Sequence, residues 1–88
     1  MARYRLLARS SFRKDLKKLP KETAERVSRK VESLADDPFP EGSKKLQGHR
    51  GLYRVRVGAY RVVYEVDQEV KIIALTYARH RKEVYRKL

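Results

Sequence analysis

The apolar residues of this chain follow two different periods, and the change of period separates a helical first half from a strand-rich second half. In the first half they recur at spacings of three and four, the period of an amphipathic helix. One stripe is Phe12, Leu16 and Leu19, and a second is Ala24, Val27, Val31 and Leu34. Pro20 disfavours the α conformation at the residue before it and can open a helix itself. The pattern therefore predicts one helix from Ser10 or Ser11 to Leu19 and a second helix from Pro20 onward.

Beyond the turn-forming segment 36–43, apolar and polar residues alternate, which is the period of a half-buried strand. High β-branched and aromatic content supports strands in this half. The predicted strands are 52–57, 60–66 and 70–77, and residues 3–9 suit a further short strand at the start.

The turns between these runs set the expected register of the sheet. Gly58-Ala59 is a two-residue link of the type II′ hairpin, which places Arg56 opposite Arg61. For the next turn we expect a three-residue loop at 67–69, because a two-residue loop would place Lys71 on the core face. The resulting pairs are Tyr64 with Ile72, Glu65 with Lys71, and Arg61 with Leu75.

An α+β fold follows from this order of elements. The chain has 88 residues, which suffice for one hydrophobic core, so we expect a single domain over 1–88. The expected arrangement is β-α-α-β-β-β, an antiparallel sheet with a helical hairpin packed on one face. Residues 80–87 are expected to form a short C-terminal helix or turn.

Charge is the strongest compositional feature, with 23 Lys and Arg against 11 Asp and Glu, a net charge of +12. Such a surface favours a polyanion, an acidic protein or an anionic membrane as partner. The absence of cysteine excludes disulfides and thiol nucleophiles. The first apolar run is shorter than a signal peptide or a spanning helix needs, which predicts a soluble, cytoplasmic protein. No carboxylate pair suits a metal site, so we expect no metal or cofactor.

Three arginines share the predicted face of the sheet that lies away from the helices: Arg54, Arg56 and Arg61. Like charges that lie opposite each other cost stability, and no acidic residue occurs between Gly42 and Tyr64 to offset them. Guanidinium groups match phosphate in a bidentate geometry, so this cluster is a candidate phosphate site. The alternative is a set of ordinary solvated arginines.

Residues near the end of the chain add further candidates. Tyr77 shares the arginine face and is suited to stacking on a base, although it also suits ordinary edge packing. His80 and Tyr85 are expected to emerge beside the arginines, where they are candidates for acid and base roles. A solvated histidine is the alternative for His80. Arg79 and Lys45 are further candidates for substrate binding.

Together these segments resemble the RelE-like toxins of the RelE/ParE superfamily, the toxin halves of type II toxin–antitoxin pairs. The resemblance runs nearly end to end. It is carried by Phe12 and 16–20, by Asp37-Pro38, by Lys45-Leu46, by the hairpin block 52–64, and by the tail 80–85.

The resemblance implies a metal-independent endoribonuclease that enters the ribosomal A site and cuts mRNA. In such cleavage the 2′-hydroxyl attacks the adjacent phosphorus and leaves a 2′,3′-cyclic phosphate. The family's catalytic positions correspond to Arg54, Arg56, Arg61, Arg81 and Tyr85, with Arg79 as the alternative to Arg81. The implied partners are a cognate acidic antitoxin, which forms a toxin–antitoxin hetero-oligomer, and the ribosome with its mRNA.

One departure from the family bears on chemistry. Some members carry lysine at the positions of Arg54 and Arg56, and a lysine of lowered pKa can act as a general base. Arginine stays protonated, so proton transfer would pass to Tyr85, His80, ribosomal groups or water. Two other functions therefore stay open: a ParE-like inhibitor of DNA gyrase, and an RNA-binding or ribosome-binding domain without catalysis.

Overall fold

The computed structural model describes residues 3–48 and 51–82. Its elements are β1 (Arg5–Ala8), α1 (Ser10–Lys18), α2 (Lys21–Leu34), β2 (Lys44–Lys45), β3 (Leu52–Val57), β4 (Tyr60–Asp67) and β5 (Ile72–His80). The α+β class and the packing of both helices on one face of the sheet are confirmed.

The two helices divide where Pro20 was predicted to divide them. Leu19 is extended at φ −80° and ψ 147°, and Pro20 is the N-cap of α2. Helix α1 begins at Ser10, one of its two predicted starts, and Arg9 occupies its N-cap position. The hydroxyl of Ser11 donates a hydrogen bond to the carbonyl oxygen of Thr76, at 2.6 Å, and so ties α1 to β5.

The sheet has the strand order β1-β5-β4-β3-β2. It is mixed rather than antiparallel, because β1 runs parallel to β5, with Leu7 opposite Ala74. Parallel strands need a long crossover, and the two helices together with the β2–β4 segment supply it. The two-residue strand β2, which the sequence pattern did not predict, pairs with the start of β3.

The hairpin between β3 and β4 has the predicted geometry and register. Gly58 has φ of +60° and Ala59 does not have a positive φ, which is the pattern of a type II′ turn. Val57 lies opposite Tyr60, and Arg56 lies opposite Arg61.

The predicted register between β4 and β5 is wrong. Asp67 pairs with Ile72, so the loop is 68–71 rather than 67–69. Asp67 Oδ1 accepts the N–H groups of Glu69 and Val70 and thereby closes a longer turn. Lys71 ends that turn with φ of +60°, a conformation that a lysine rarely adopts.

A bulge at Val63/Tyr64 then shifts the register of β4 and β5 again. The longer loop already places Leu75 opposite Tyr64 in the core rather than opposite Arg61, and the bulge then brings Arg79 opposite Arg61. The expected pair of Glu65 and Lys71 is likewise absent, since Glu65 lies opposite Ala74.

The core lies between the helices and the sheet. The helices contribute Phe12, Val27, Val31 and Leu34, and the strands contribute Val55, Val57, Val62, Tyr64, Val66, Ile73, Leu75 and Ala78. The Tyr64 hydroxyl donates to the carbonyl oxygen of Pro38 at 2.8 Å, which anchors the loop after α2. Burial raises the pKa of the Tyr64 phenol to about 12.

Candidate functional site

Three arginines lie side by side on the face of the sheet away from the helices. Arg56 of β3 lies opposite Arg61 of β4, and Arg61 lies opposite Arg79 of β5. We call these three residues the arginine row. Neighbouring strands are about 4.8 Å apart, so the row places three cations across three adjacent strands. Arg79 enters the row because of the loop at 68–71 and the bulge, neither of which the sequence pattern revealed.

Arg61, at the centre of the row, is buried, with 4% of its surface exposed. The solvated arginine that the sequence left open as an alternative does not describe this residue. Arginine is rarely buried unless its guanidinium is hydrogen-bonded. Within the described ranges, no buried side-chain nitrogen or oxygen lacks a hydrogen-bond partner. The sheet therefore encloses a positive charge that is held in place.

Arg79 is held by a carboxylate from α1. Its Nε donates to Asp15 Oδ2 at 3.0 Å, and the same oxygen accepts the main-chain N–H of Ala78 at 3.1 Å. The guanidinium carbon of Arg79 lies 4.0 Å from the centre of the Tyr77 ring. Asp15 is itself buried. A carboxylate from a distant part of the sequence therefore reaches the end of the arginine row at Arg79.

The lysine beside Arg54 is Lys44 rather than Lys45. Lys44 lies opposite Arg54, and Lys45 lies opposite Tyr53, whose side chain packs against the core. Residues directly opposite each other in an antiparallel pair project from the same face. The face of the sheet that carries the arginine row therefore also carries Arg54 and Lys44. The sequence pattern missed Lys44 because it did not predict β2.

The structure places His80 on the other face of the sheet from Arg56 and Arg61. His80 lies opposite Tyr60, and the two rings meet edge to face with centres 5.4 Å apart. Both residues line a small cavity with Lys18 and Leu19 on the helix side, and Asp15 and Arg79 border the same cavity. Its Nδ1 accepts the N–H of Lys82 at 3.4 Å.

Of the other two tail candidates, only Arg81 lies within the described residues. Arg81 is exposed, and its main-chain N–H donates to the carbonyl oxygen of Ala59 at 3.0 Å, so it starts beside the β3–β4 turn. Tyr85 lies outside the described residues. The predicted short helix or turn at 80–87 is helical at residues 81 and 82, where the described part ends.

A second basic surface adjoins the row at Arg56. A groove of about 390 Å³ runs between α2 and the β3–β4 turn. Its basic lining is Arg26, Arg29, Lys30 and Arg56, and no carboxylate of residues 3–48 or 51–82 lines it. The Arg26 guanidinium crosses to the turn, since its Nη1 lies 3.4 Å from the position of a Cβ on Gly58. We call this surface the basic groove.

The opposite end of the same sheet face is acidic. Glu65, Asp67 and Glu69 line a cavity of about 760 Å³ together with Leu7 and other residues. Arg9 Nη2 lies 3.2 Å from Glu65 Oε1 across this end. In residues 3–48 and 51–82, no three His, Asp or Glu side chains are grouped to hold a metal ion. Over those same residues, no helix has the length and apolar character to cross a membrane.

Comparison with known proteins identifies the family. A family model described as the ParE toxin of type II toxin–antitoxin systems, parDE, matches residues 6–85. Putative toxin RelE1 of Methanocaldococcus jannaschii is 34% identical over 76 residues, which cover 83% of this chain and 84% of that protein. This chain is a RelE-like toxin of the RelE/ParE superfamily. Toxin RelE3 of the same organism is 31% identical to it, with 92% and 94% of the two chains covered.

Solved structures agree with the fold of this RelE-like toxin. The archaeal RelE–RelB complex from Pyrococcus horikoshii OT3 contains a chain that superposes with a TM-score of 0.80 at 32% identity. The match covers 92% of this toxin and 97% of that chain. The likeness extends through both helices and the sheet, which is the frame that positions the arginine row.

Proposed function

We propose that this RelE-like toxin is a ribosome-dependent endoribonuclease that cleaves mRNA without a metal ion and so inhibits translation. The observation that carries the proposal is the arginine row, in which Arg56, Arg61 and Arg79 lie next to one another although their charges repel. Folding alone disfavours such an arrangement. A polyanionic phosphodiester would offset the repulsion and gain bidentate hydrogen bonds.

The reaction is a transfer of the phosphorus from one oxygen to another. The 2′-oxygen forms a bond to phosphorus as the bond to the 5′-oxygen breaks, which gives a 2′,3′-cyclic phosphate and a free 5′-hydroxyl. The guanidinium groups of the row hold the phosphate and stabilise the charge that builds up on its oxygens. Arg54 and Lys44 extend this positive field along the strand.

Proton transfer needs other groups, because arginine does not give up its proton. One group must accept the proton of the 2′-hydroxyl and another must supply a proton to the leaving 5′-oxygen. We assign these roles to Tyr85 together with ribosomal groups or water. His80 is less suited to contact the same phosphate, since its ring packs on Tyr60 toward the helices.

We further propose that a cognate antitoxin neutralises this toxin. The solved relatives include RelE–RelB complexes from Pyrococcus horikoshii and Methanococcus jannaschii. Because this toxin carries a net charge of +12, its antitoxin should present an acidic segment that folds as it binds. An action on ribosomes implies that the toxin works in the cytoplasm.

Docking on ribosomal RNA should use basic residues outside the arginine row. The α2 residues of the basic groove, Arg26, Arg29 and Lys30, and the lysines and arginines of α1 provide such a surface. Phosphate contacts of this kind give affinity that falls with salt concentration and carry little sequence information.

A ParE-like action on DNA gyrase is the second candidate, because the matching family model is described as a ParE toxin. A non-catalytic RNA-binding or ribosome-binding domain is the third, since arginines replace the lysines that could serve as a base. Primer extension on a translated mRNA, with purified toxin and ribosomes, separates the three.

Codon-phased cuts that disappear in Arg61→Ala and Tyr85→Phe support the nuclease, provided that circular dichroism shows both variants folded. Intact mRNA with trapped gyrase–DNA complexes would establish the ParE-like action. Tight ribosome binding without cuts or gyrase effects would establish the binding domain.

A further inference from the structure

Asp15 is the described acidic residue whose side chain reaches the arginine row. It lies on α1, 64 positions before Arg79 in the sequence, and its carboxylate is buried against β5. A buried carboxylate is stable only when its oxygens are hydrogen-bonded. Asp15 Oδ2 meets this condition with two donors from β5, the N–H of Ala78 and the Nε–H of Arg79.

The position of Ala78 explains why this carboxylate is needed for the sheet. Strand β1 pairs with residues 72–75 of β5 and ends there, so residues 76–80 of β5 extend beyond the end of β1. The N–H of Ala78 lies on this continuation and is buried. The Asp15 carboxylate accepts this N–H as a carbonyl oxygen of a neighbouring strand would. This role explains its hydrogen bond to Ala78 but not its hydrogen bond to Arg79.

The second contact orients a guanidinium of the site. Arg79 uses Nε for Asp15, which leaves the four N–H groups on Nη1 and Nη2 for other acceptors. The guanidinium is also stacked on Tyr77, and its side chain is only 18% exposed. An arginine fixed at Nε and at its flat face has lost most of its rotamer freedom before substrate arrives.

We propose that Asp15 is a positioning residue of the active site, which holds Arg79 beside Arg61 so that both guanidiniums are ready for one phosphate. This inference rests on the proposed nuclease function. Asp15 acts through Arg79 and does not touch the substrate. Its negative charge also offsets part of the repulsion between Arg79 and Arg61.

The decisive variant is Asp15→Asn, since asparagine keeps an oxygen for the Ala78 N–H and loses the negative charge. We expect the single-turnover cleavage rate at saturating ribosomes to fall by about tenfold or more, with the ribosome dissociation constant changed by less than about twofold. In the Arg79→Ala background, Asp15→Asn should change the rate by less than about twofold. Glu65→Gln is the matched control, because it removes the charge of an exposed partner of Arg9 and should leave the rate unchanged.

A purely structural role gives a different result, in which Asp15→Asn lowers the rate by the same factor with and without Arg79. That outcome overturns the inference. The Nε–Hε resonance of Arg79 in a ¹⁵N spectrum of the free toxin gives a readout that does not depend on activity. It should shift in Asp15→Asn and stay in place in Glu65→Gln, and an unchanged resonance in Asp15→Asn also overturns the inference.

The test separates this inference from the proposed function. If the wild-type toxin cuts no mRNA, the nuclease proposal fails, and affinity for a short 2′-O-methylated RNA then decides the role of Asp15. Weaker binding of that RNA by Asp15→Asn, with no such effect in the Arg79→Ala background, supports positioning. Equal binding by Asp15→Asn and wild type refutes it.

Discussion

Arg61 of β4 and Arg79 of β5 lie directly opposite each other, and the toxin keeps both positive charges at the same level of the sheet. Arg56 of β3 extends the arrangement to a third strand. Directly opposed like charges cost stability, and here they lie at the site where we expect an anion to bind. Stability and function should therefore respond in opposite directions when Arg56, the exposed member of the row, is neutralised.

Arg56 provides the clearest case, because its side chain is exposed and lies on the outer side of the row. Arg56→Thr removes one like-charge pair and substitutes a good strand former, so it should raise the free energy of unfolding by about 0.5 kcal/mol. It should also weaken mRNA cleavage by about tenfold or more. Urea unfolding and primer extension measure the two effects.

The matched control for this prediction is Arg5→Thr on β1. Arg5 is exposed and lies opposite Ile72, so the same substitution relieves no like-charge pair there. Equal stabilisation by both variants would show that strand propensity, and not charge relief, explains the change.

Stability at high pH should depend on Tyr64. The pKa of its phenol is raised from 10.0 to about 12 by burial in the folded protein. The neutral phenol is therefore favoured by folding, and its contribution is complete below pH 10 and is lost as the pH rises through 12. The loss should be on the order of 2 kcal/mol.

Comparison with Tyr64→Phe isolates this effect from the other tyrosines and the lysines. The variant lacks the hydrogen bond to Pro38, which should cost about 1 kcal/mol at neutral pH. Between pH 10 and 12, however, wild type should lose stability faster than the variant in urea unfolding. Parallel pH profiles would contradict the assignment.

The basic groove should contribute to the salt dependence of ribosome binding. Arg26→Ala with Arg29→Ala removes two of the cations that line it. For each phosphate that these arginines neutralise, the double variant should show a slope of log K against log salt that is lower by about 1. The dissociation constant, measured from about 50 to about 200 mM salt, gives that slope.

Lys71→Ala provides the reference for this experiment, since Lys71 lies over the ring of Tyr4 at the other end of the sheet. Its slope should equal that of wild type. If the double variant in the groove binds a cognate antitoxin less tightly and binds ribosomes normally, the groove serves the antitoxin instead.

The hairpin turn should be intolerant of a side chain at Gly58. Its φ of +60° starts a type II′ turn, and a Cβ there would lie 3.4 Å from Nη1 of Arg26. Gly58→Ala should therefore cost about 1–2 kcal/mol in chemical unfolding. Ala59→Gly, at the neighbouring position without positive φ, should cost less than about 1 kcal/mol. Equal costs would mean that the turn is not of this type.

Local patterns predicted the parts of the fold that depend on neighbouring residues. Pro20 divided the two helices, and Gly58-Ala59 established which residues of β3 and β4 lie opposite each other. The position of Arg56 beside Arg61 followed from that turn alone. These features need only the conformational preferences of a few adjacent residues.

The parts that the sequence did not predict depend on distant contacts or on rare conformations. A lysine with positive φ at residue 71 and the bulge at Val63/Tyr64 changed the partners of β5, so Arg79 replaced Leu75 opposite Arg61. Likewise, nothing near Asp15 in the sequence indicates that it contacts Arg79, because the contact exists only after α1 has packed on β5.

Because β2 is short, it pairs with only part of the edge strand β3. β2 covers Tyr53 and Arg54, and β3 continues beyond it to Val57 without a further strand beside it in the described part of the chain. An unpaired strand edge of this kind can pair with the same edge of another molecule and start aggregation. Arg56 stands exposed in the middle of it. The positive charge of Arg56, which we propose binds RNA, therefore also opposes edge-to-edge pairing between two toxin molecules.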